Sequence, residues 1–596
     1  MQEYTSPGAV AVDPDENLTT ALWQWEAERP AHPILSYRSA GPFVDVDYGE
    51  LAAKARRVAA GLMSLGLQKG DRVCVFSPTR YEYTILTYGI WAAGCVLVTI
   101  YDTSSAEQVE WIVSDSGARA IVCADAGLEG VYRERAGALG TIEHVFVLDE
   151  GGLDALIDLG RGLNDDQVLA RAASVTQEDL GTLIYTSGTT GRPKGCMLTV
   201  GNYVWELRQV LDVLGELLYE GSSTLMFLPL AHSFANLVQA SVVMAGNGTM
   251  AFSSGIPHLT EELPMVRPTW LFSVPRVFER VYNGAQQRAE ADGKGKIFQL
   301  AADTAIAYSR QREAGSVALT TRVMHGVFDR LVYGKLRNAL GGRVAHSISG
   351  GAALGERLGH FYSGIGIIVL EGYGLTETTA GSTVNSPGSV RIGTVGRPLP
   401  GASIRIADDG EVLIRGPHVF RGYWNNDQAT AETFTIDGWF RSGDIGTLDD
   451  DGYLRITGRK KELIVTAGGK NVAPVILEDR LNAHPLVSQS MVVGDDRPYI
   501  AALITLDPEE LPRWAERRGK AFDRTALVSD PDLVAEIEAA VAAANEAVSR
   551  AESIRRYRIL ADDFTMERDE LTPTLKLKRR VVMDHYAEAI QALYTD

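Results

Sequence analysis

The stretch LIYTSGTTGRPKGCMLT, Leu183 to Thr199, opens and closes on apolar residues and holds between them a run of Gly, Ser and Thr followed by Lys194. A flexible surface linker is one reading. It is weakened because TLIY reads as a buried strand running into the loop and CMLT resumes apolar character after it. Thr186, Ser187, Thr189 and Thr190, set around Gly188 and Gly191, offer many donors and little bulk, which suits close approach to phosphate oxygens. The loop is not a Walker A motif, which needs Gly directly before Lys and Ser or Thr directly after; Lys194 lies between Pro193 and Gly195. Pro193 also disfavours helical backbone at Arg192, so no helix opens there as it does in a P-loop. The expectation is a phosphate-binding loop carried by another nucleotide-binding fold.

Upstream of this loop, DYGELAAKARRVAAGLMSLG from Asp47 predicts a helix, with Glu50 placed for a capping box, Leu51, Ala55, Val58, Leu62 and Leu65 at helical spacing, and Gly66 as a stop. DRVCVF, CVLVTI and ARAIVCA read as strands, separated by RYEYTILTYGIWAAG and SAEQVEWIVSDSG as helices. Such alternation indicates parallel α/β layering. Downstream, about Ala285 to Asn338 reads as a helical insertion broken at ADGKGK and EAGS, after which strands resume at VAHSISGG and GIIVLEGYG. From DGEVLIRG to DGYLRITGR, short strands with Asp-Gly turns predict a β-rich subdomain. A new unit begins near Lys460, holding strands in HPLVSQSMVVGDDRPYIAALITL and a helix in DLVAEIEAAVAAANEAVSRAE before a short basic tail.

The 596 residues, 45% hydrophobic and 22% charged, supply material for more than one core. A net charge of -19 argues against nucleic acid as the main partner, since phosphate neutralisation needs a basic face. Cys74, Cys95, Cys123 and Cys196 lie among apolar or small residues without metal-like pairing, which reads as buried free thiols in a reducing compartment. The N-terminus lacks a secretory pattern, and no apolar run approaches the roughly 20 residues of a bilayer span. The expected location is cytoplasmic, with any membrane contact peripheral, at the inner face.

Several further islands carry polar groups suited to ATP chemistry in a fixed order: LPLAHSFAN at Leu228, SGGAALGE at Ser349, EGYGLTETT at Glu371, GWFRSGDIG at Gly438, GYLRITGRKKELIVTAGGKNVAP at Gly452 and LTPTLKLKRR at Leu571. Together they resemble the adenylate-forming superfamily, over nearly the whole chain. SVPRVFERVYN with the helical insertion, FDRLVYGKLRNALGG and the LTPTLKLKRR terminus are most similar to bacterial long-chain fatty acyl-CoA synthetases. The resemblance implies an α/β fold: a large N-terminal adenylate-forming domain, residues 1–459, of layered α/β subdomains plus a β-rich subdomain, and a small mobile α+β C-terminal domain, residues 460–596.

By that resemblance Thr186, Ser187, Gly188, Thr189, Thr190 and Gly191 cradle the β- and γ-phosphates, with Lys194 adding positive charge. Glu377 is a hard oxygen ligand suited to Mg2+, and Thr376 is placed to donate to the α-phosphate, although TET alone reads equally as a helix cap with an exposed acid. Tyr373, followed by Gly374, supplies the adenine-stacking face, and Gly350, Gly351 and Ala352 shape the other side of the base pocket. Asp444 matches the ribose diol, with Arg459 approaching from the hinge side; Ser442 stands where the family usually has Thr. His232 and Gly351 border the acyl carboxylate, although a His among apolar residues is more often a satisfied core group. Arg276 is either a local ion-pair partner or part of the acyl-site wall. Lys576 is the expected catalytic residue, bridging carboxylate and α-phosphate; the competing reading is a solvated basic tail with Lys578, Arg579 and Arg580. Lys461 corresponds to the family's hinge, about which the small domain swings to bring TAGGKN inward, where Gly468 and Gly469 leave room for pantetheine.

The implied activity is a long-chain fatty acid:CoA ligase using ATP, Mg2+ and CoA. The competing readings are a fatty acyl-AMP ligase that loads a carrier protein, whose blocking insertion is not seen near the hinge, and an aromatic or medium-chain acid:CoA ligase. A non-catalytic ATP- or lipid-binding scaffold would be expected to have lost Lys576, Glu377 or Asp444.

Overall fold

A computed structural model describes residues 2–38, 41–138, 140–186, 192–467, 470–572 and 576–595. The strands read from the first third of the sequence join one six-stranded sheet in the order His144–Val147, Ala120–Cys123, Arg72–Phe76, Val96–Ile100, Leu180–Thr186 and Lys194–Thr199, of which the edge strand His144–Val147 was not expected. The first five run parallel, and the last turns back antiparallel through the glycine-rich loop. This is the layering that the strand–helix alternation predicts. The helix Tyr48–Ser64 buries Leu51, Ala55, Val58 and Leu62, and Gly66 follows its end at φ +84°. Asp47 caps it by accepting from the Glu50 amide at 2.8 Å. The expected capping box is only half made, because the Glu50 carboxylate pairs instead with Lys54, one turn on, at 2.6 Å.

A second sheet, Ser222–Met226, Gly248–Phe252, Pro33–Tyr37 and Val44–Asp47, meets a third, Trp270–Ser273, His346–Ser349, Ile368–Tyr373, Thr383–Val384 and Arg397–Pro398, where the Thr269 amide donates to the Ser223 carbonyl at 2.9 Å. Between the strands Trp270–Ser273 and His346–Ser349 lies the helical insertion: Pro275–Ala291, Gly295–Glu313 and Leu319–Phe328, with a π turn over Asp329–Tyr333 and a last helix Gly334–Ala339. The two predicted breaks are present. The first helix starts well before Ala285, because Pro275 sits in its first turn, where a missing N–H costs nothing. An antiparallel sheet, Glu3–Thr5, Ser403–Ile406, Glu411–Arg415, Phe440–Leu448 and Leu454–Arg459, is the β-rich subdomain.

Beyond it the chain builds a smaller domain around Val487–Val493, Ile500–Leu506 and Ile554–Leu560, with its own buried apolar clusters. The large domain has separate cores. All four cysteines are buried and free. Among the described residues no helix is long and apolar enough to cross a membrane.

Candidate active site

The strand ends bring the site together. Thr186 and Lys194 face each other across the hairpin that carries the glycine-rich loop. Ser187, Gly188, Thr189, Thr190 and Gly191 lie outside the described residues. The loop's exit is anchored: the Trp111 indole donates to the Pro193 carbonyl at 2.7 Å, and the Arg192 guanidinium lies 4.7 Å from the Trp111 ring centre. The Lys194 ammonium stands 5.0 Å from the ring centre of Tyr423.

Tyr423 reaches this point because Arg421–Trp424 zips onto the outer edge of the strand Lys194–Thr199. The amides of Met197, Arg421 and Trp424 bond the carbonyls of Gly422, Met197 and Gly195 at 3.0, 3.1 and 2.8 Å. The Tyr423 hydroxyl donates to Glu377 Oε1 at 2.8 Å. Burial, reinforced by the Glu377 charge, raises the phenol's pKa and keeps it a donor. A Lys194–Tyr423–Glu377 row therefore crosses the floor of the cleft, and its middle member was not among the expected site residues.

Glu377 and Thr376 occupy a 3-10 turn just after the strand Ile368–Tyr373. Thr379 and Ala380, which follow, have φ of 59° and 134°, a left-handed conformation costly for side-chain-bearing residues. Three bonds hold that backbone: Phe420 N–H to the Glu377 carbonyl at 2.8 Å, Thr379 Oγ1 to the His418 carbonyl at 2.7 Å, and Gly381 N–H to buried Glu206 at 2.6 Å. Gly374 is required here, since any Cβ would overlap the Ala380 carbonyl. Thr376 Oγ1 is 3.5 Å from Ser233 Oγ.

Tyr373 and Asp444 meet directly: the phenol donates to Oδ2 at 2.7 Å, while Arg459 Nε lies 3.2 Å from Oδ1 from the register position opposite Asp444. Burial pushes the Asp444 carboxyl up and the Arg459 charge opposes that rise. Ser442 supplies what its hydroxyl needs to: it donates to the Val412 carbonyl at 2.6 Å and accepts from the Asp444 amide at 3.0 Å.

Across the cleft, Gly350 donates to the Ser273 carbonyl at 3.2 Å, Gly351 takes φ +86°, and Ala352 lines the cavity. The Lys576 ammonium ends 3.8 Å from where a Gly351 Cβ would stand. Its own turn is pinned by Thr572 N–H to the Lys576 carbonyl at 2.8 Å and Lys576 N–H to Thr572 Oγ1 at 3.0 Å. Burial, together with the Arg459 charge, pulls the Lys576 pKa down to about 8. His232 caps the helix Ser233–Ala245, its Nδ1 accepting from the Phe234 amide at 3.1 Å. Burial and the Lys576 charge bring its pKa down to about 3, so it is neutral at ordinary pH. It combines the structural and the site-lining reading.

Lys194, His232, Gly351, Tyr373, Glu377, Tyr423, Asp444, Arg459 and Lys576 all open on one cavity of about 3280 Å3 between the two domains. Val210, Leu214, Leu218, Leu237, Val238 and Trp270 contribute apolar side chains to its lining. None of these was expected at the site; the signal was the apolar face shared by the helices Val200–Leu214 and Ser233–Ala245, which in sequence reads as ordinary core. Arg276 pairs with Glu279 at 3.3 Å and donates to Ser488 of the small domain at 3.2 Å, which makes it an interdomain tie. Lys461 is exposed within a 3-10 turn, next to Lys460, which is held by Asp409 and Glu411 at 2.6 and 2.9 Å. Gly468 and Gly469 lie outside the described residues; Ala467, just before them, donates its N–H to the Arg497 carbonyl at 2.9 Å.

Comparison with known proteins agrees with this architecture. Residues 22–424 match the family of AMP-binding enzymes and residues 461–596 the AMP-binding enzyme C-terminal domain. The long-chain-fatty-acid–CoA ligase FadD15 of Mycobacterium bovis is 49% identical over 100% of both chains, and long-chain-fatty-acid–CoA ligase 6 of Homo sapiens is 30% identical over 94% of this chain and 84% of its own. Among solved structures, the anthranilate CoA ligase AuaEII in complex with anthranoyl-AMP superposes with a TM-score of 0.74 at 21% identity, covering 97% of this chain and 99% of its own. The adenylation domain of a Mycobacterium chelonae carboxylate reductase gives 0.75 at 23%, covering 98% and 92%. At such identities these structures speak for the fold alone. The family match across both domains, and the full-length likeness at nearly half identity, establish that the chain belongs to the AMP-binding enzymes.

Proposed function

We propose that the protein is a long-chain fatty acid:CoA ligase, cytoplasmic, which forms an acyl-adenylate and pyrophosphate from fatty acid and ATP and then transfers the acyl group to CoA. The observation that carries the first step is Lys576 of the small domain standing against Gly351, in a cleft that also holds Asp444, Tyr373, Glu377 and Lys194. A fatty carboxylate and ATP repel each other, and an ammonium between them lowers that repulsion where charge builds up on the α-phosphate. The carboxylate oxygen bonds to the α-phosphorus as the bond to the β-phosphate oxygen breaks. Lys194 and the glycine-rich loop take the leaving pyrophosphate, Asp444 and Arg459 hold the ribose, and Tyr373 with Gly350, Gly351, Ala352 and Gly374 frames the base. Thr376 donates to the α-phosphate.

Glu377 would hold Mg2+: its carboxylate is a hard oxygen ligand lining the cleft, with Oε1 steadied by the Tyr423 hydroxyl. When bound the ion supplies charge neutralisation on the phosphates. For the second step the small domain, residues 460–596, turns about Lys461, withdraws Lys576, and presents Gly468 and Gly469 to pantetheine; the CoA sulfur then replaces AMP on the acyl carbon. The apolar residues that line the same cavity as His232 and Gly351 support a long acyl chain, each buried methylene adding about 0.8 kcal/mol at most.

A panel of linear acids with benzoate and a cinnamate, each with and without CoA, tests this reading. Acids of roughly a dozen carbons or more should exceed acetate and benzoate by orders of magnitude in kcat/KM, with acyl-CoA as the product. A maximum at an aromatic or short acid, or adenylate that CoA does not discharge, would overturn it.

A further inference from the structure

The helical insertion carries a surface that the adenylation chemistry does not use. Seven of the nineteen large apolar side chains exposed among the described residues lie between Ile297 and Leu331. Leu319, Val323, Val327 and Leu331 recur every fourth residue, so they share one helix flank, and Leu319, Val323 and Leu331 are 74%, 58% and 56% exposed. Met324 joins them. The opposite side of the same segment is anchored: Phe328 and Tyr333 are buried, His325 stacks on Tyr308 at 3.9 Å, and the Tyr333 hydroxyl donates to the Ala301 carbonyl at 2.7 Å. That last bond ties the segment to the helix Gly295–Glu313, which carries two further exposed apolar side chains, Ile297 and Leu300, in the turn before Ala301. A patch of this kind on a monomer marks a contact surface.

Charge identifies the partner. From Lys294 to Arg343 the sequence holds nine Lys and Arg against three Asp and Glu, in a protein whose net charge is -19. Lys296, Arg322, Arg330 and Lys335 are exposed around the apolar stripe. A basic rim about an apolar helix flank fits an anionic lipid surface, with apolar side chains entering the acyl boundary and cations meeting headgroup phosphates. We infer that the face formed by Leu319–Leu331 and the start of Gly295–Glu313 docks the protein on anionic phospholipid bilayers. The same helix Gly295–Glu313 turns Ile306, Ala307 and Arg310 toward the interdomain cavity, so the docked face and the cavity share one wall.

Vesicle co-sedimentation of the full chain tests this, with phosphatidylcholine alone and phosphatidylcholine mixed with phosphatidylglycerol. The wild type should bind the mixed vesicles, less so at high salt, and the pure ones far more weakly. Val323→Glu with Val327→Glu should lower binding at least about tenfold, and Arg322→Glu with Arg330→Glu should remove the preference for phosphatidylglycerol. Circular dichroism checks the fold of each; if the Val pair does not fold, Leu319→Glu at the most exposed position reads the same contact. No binding to mixed vesicles, unchanged binding by the folded Glu variants, or a concentration-dependent dimer abolished by those variants would overturn the inference, the last assigning the face to a second copy.

Discussion

The Tyr423 hydroxyl is the group that aims Glu377, and nothing in the sequence around RGYWNN says so. Its role arises only because Arg421–Trp424 bonds along a strand more than two hundred residues earlier, a long-range pairing that local patterning cannot encode. Tyr423→Phe should lower pyrophosphate exchange about tenfold or more, the scale of one lost hydrogen bond to a charge, and should raise the Mg2+ needed for half-maximal rate. Titrating Mg2+ in wild type and variant reads this, and superimposable curves would contradict it. Asp444→Asn should weaken ATP binding by about tenfold while the fold persists, read by calorimetric titration; unchanged ATP affinity would argue against a ribose contact. Lys576 sets a pH limit with a definite sign. Its pKa of about 8 means that the ammonium is charged below that pH and lost above it, so kcat/KM for ATP should fall as pH rises through about 8. His232, held near 3, contributes no limb around pH 6 to 7. In stability the burial penalty on Lys576 is full below about 8 and relieved as pH rises toward the unfolded value of about 10.4.

Among the elements, the 3-10 turn Lys460–Glu462 is the proposed joint. A 3-10 turn has φ near the roughly -65° that proline imposes, so Lys461→Pro should leave this domain pose intact and hinder rotation away from it. Adenylate formation should stay within a few-fold of wild type while thioester formation falls at least tenfold, as single-turnover measurements of each step would show; equal losses in a folded protein would contradict the hinge. Most elements were legible beforehand because their periodicities are strong: the parallel strands around DRVCVF and CVLVTI, the breaks at ADGKGK and EAGS, and the Asp-Gly turns of the β-rich sheet. The capping box failed because Glu50 had a better partner one turn along, a competition invisible to a motif. The apolar part of the cavity lining was missed because Leu214, Leu237 and Val238 carry the same pattern whether they line a cavity or fill a core.

For the whole molecule, the arrangement of the domains decides which chemistry the cleft can do. Arg276 to Ser488 and Arg513 to Gln287, at 3.2 and 3.0 Å, seat the small domain so that Lys576 projects into the cleft. The site's motifs were readable one by one, but their convergence on a single cavity was known only by resemblance, since no spacing in the sequence dictates how two separately cored domains meet. We propose that this pose serves adenylation, with Lys576 as the cation that bridges carboxylate and α-phosphate. Lys576→Ala, assayed separately for acid-dependent pyrophosphate exchange and for CoA transfer to supplied acyl-AMP, tests it most directly. Exchange should fall about a hundredfold or more while transfer stays largely intact; exchange near the wild-type rate, or an equal loss in both, would rule out this role for Lys576.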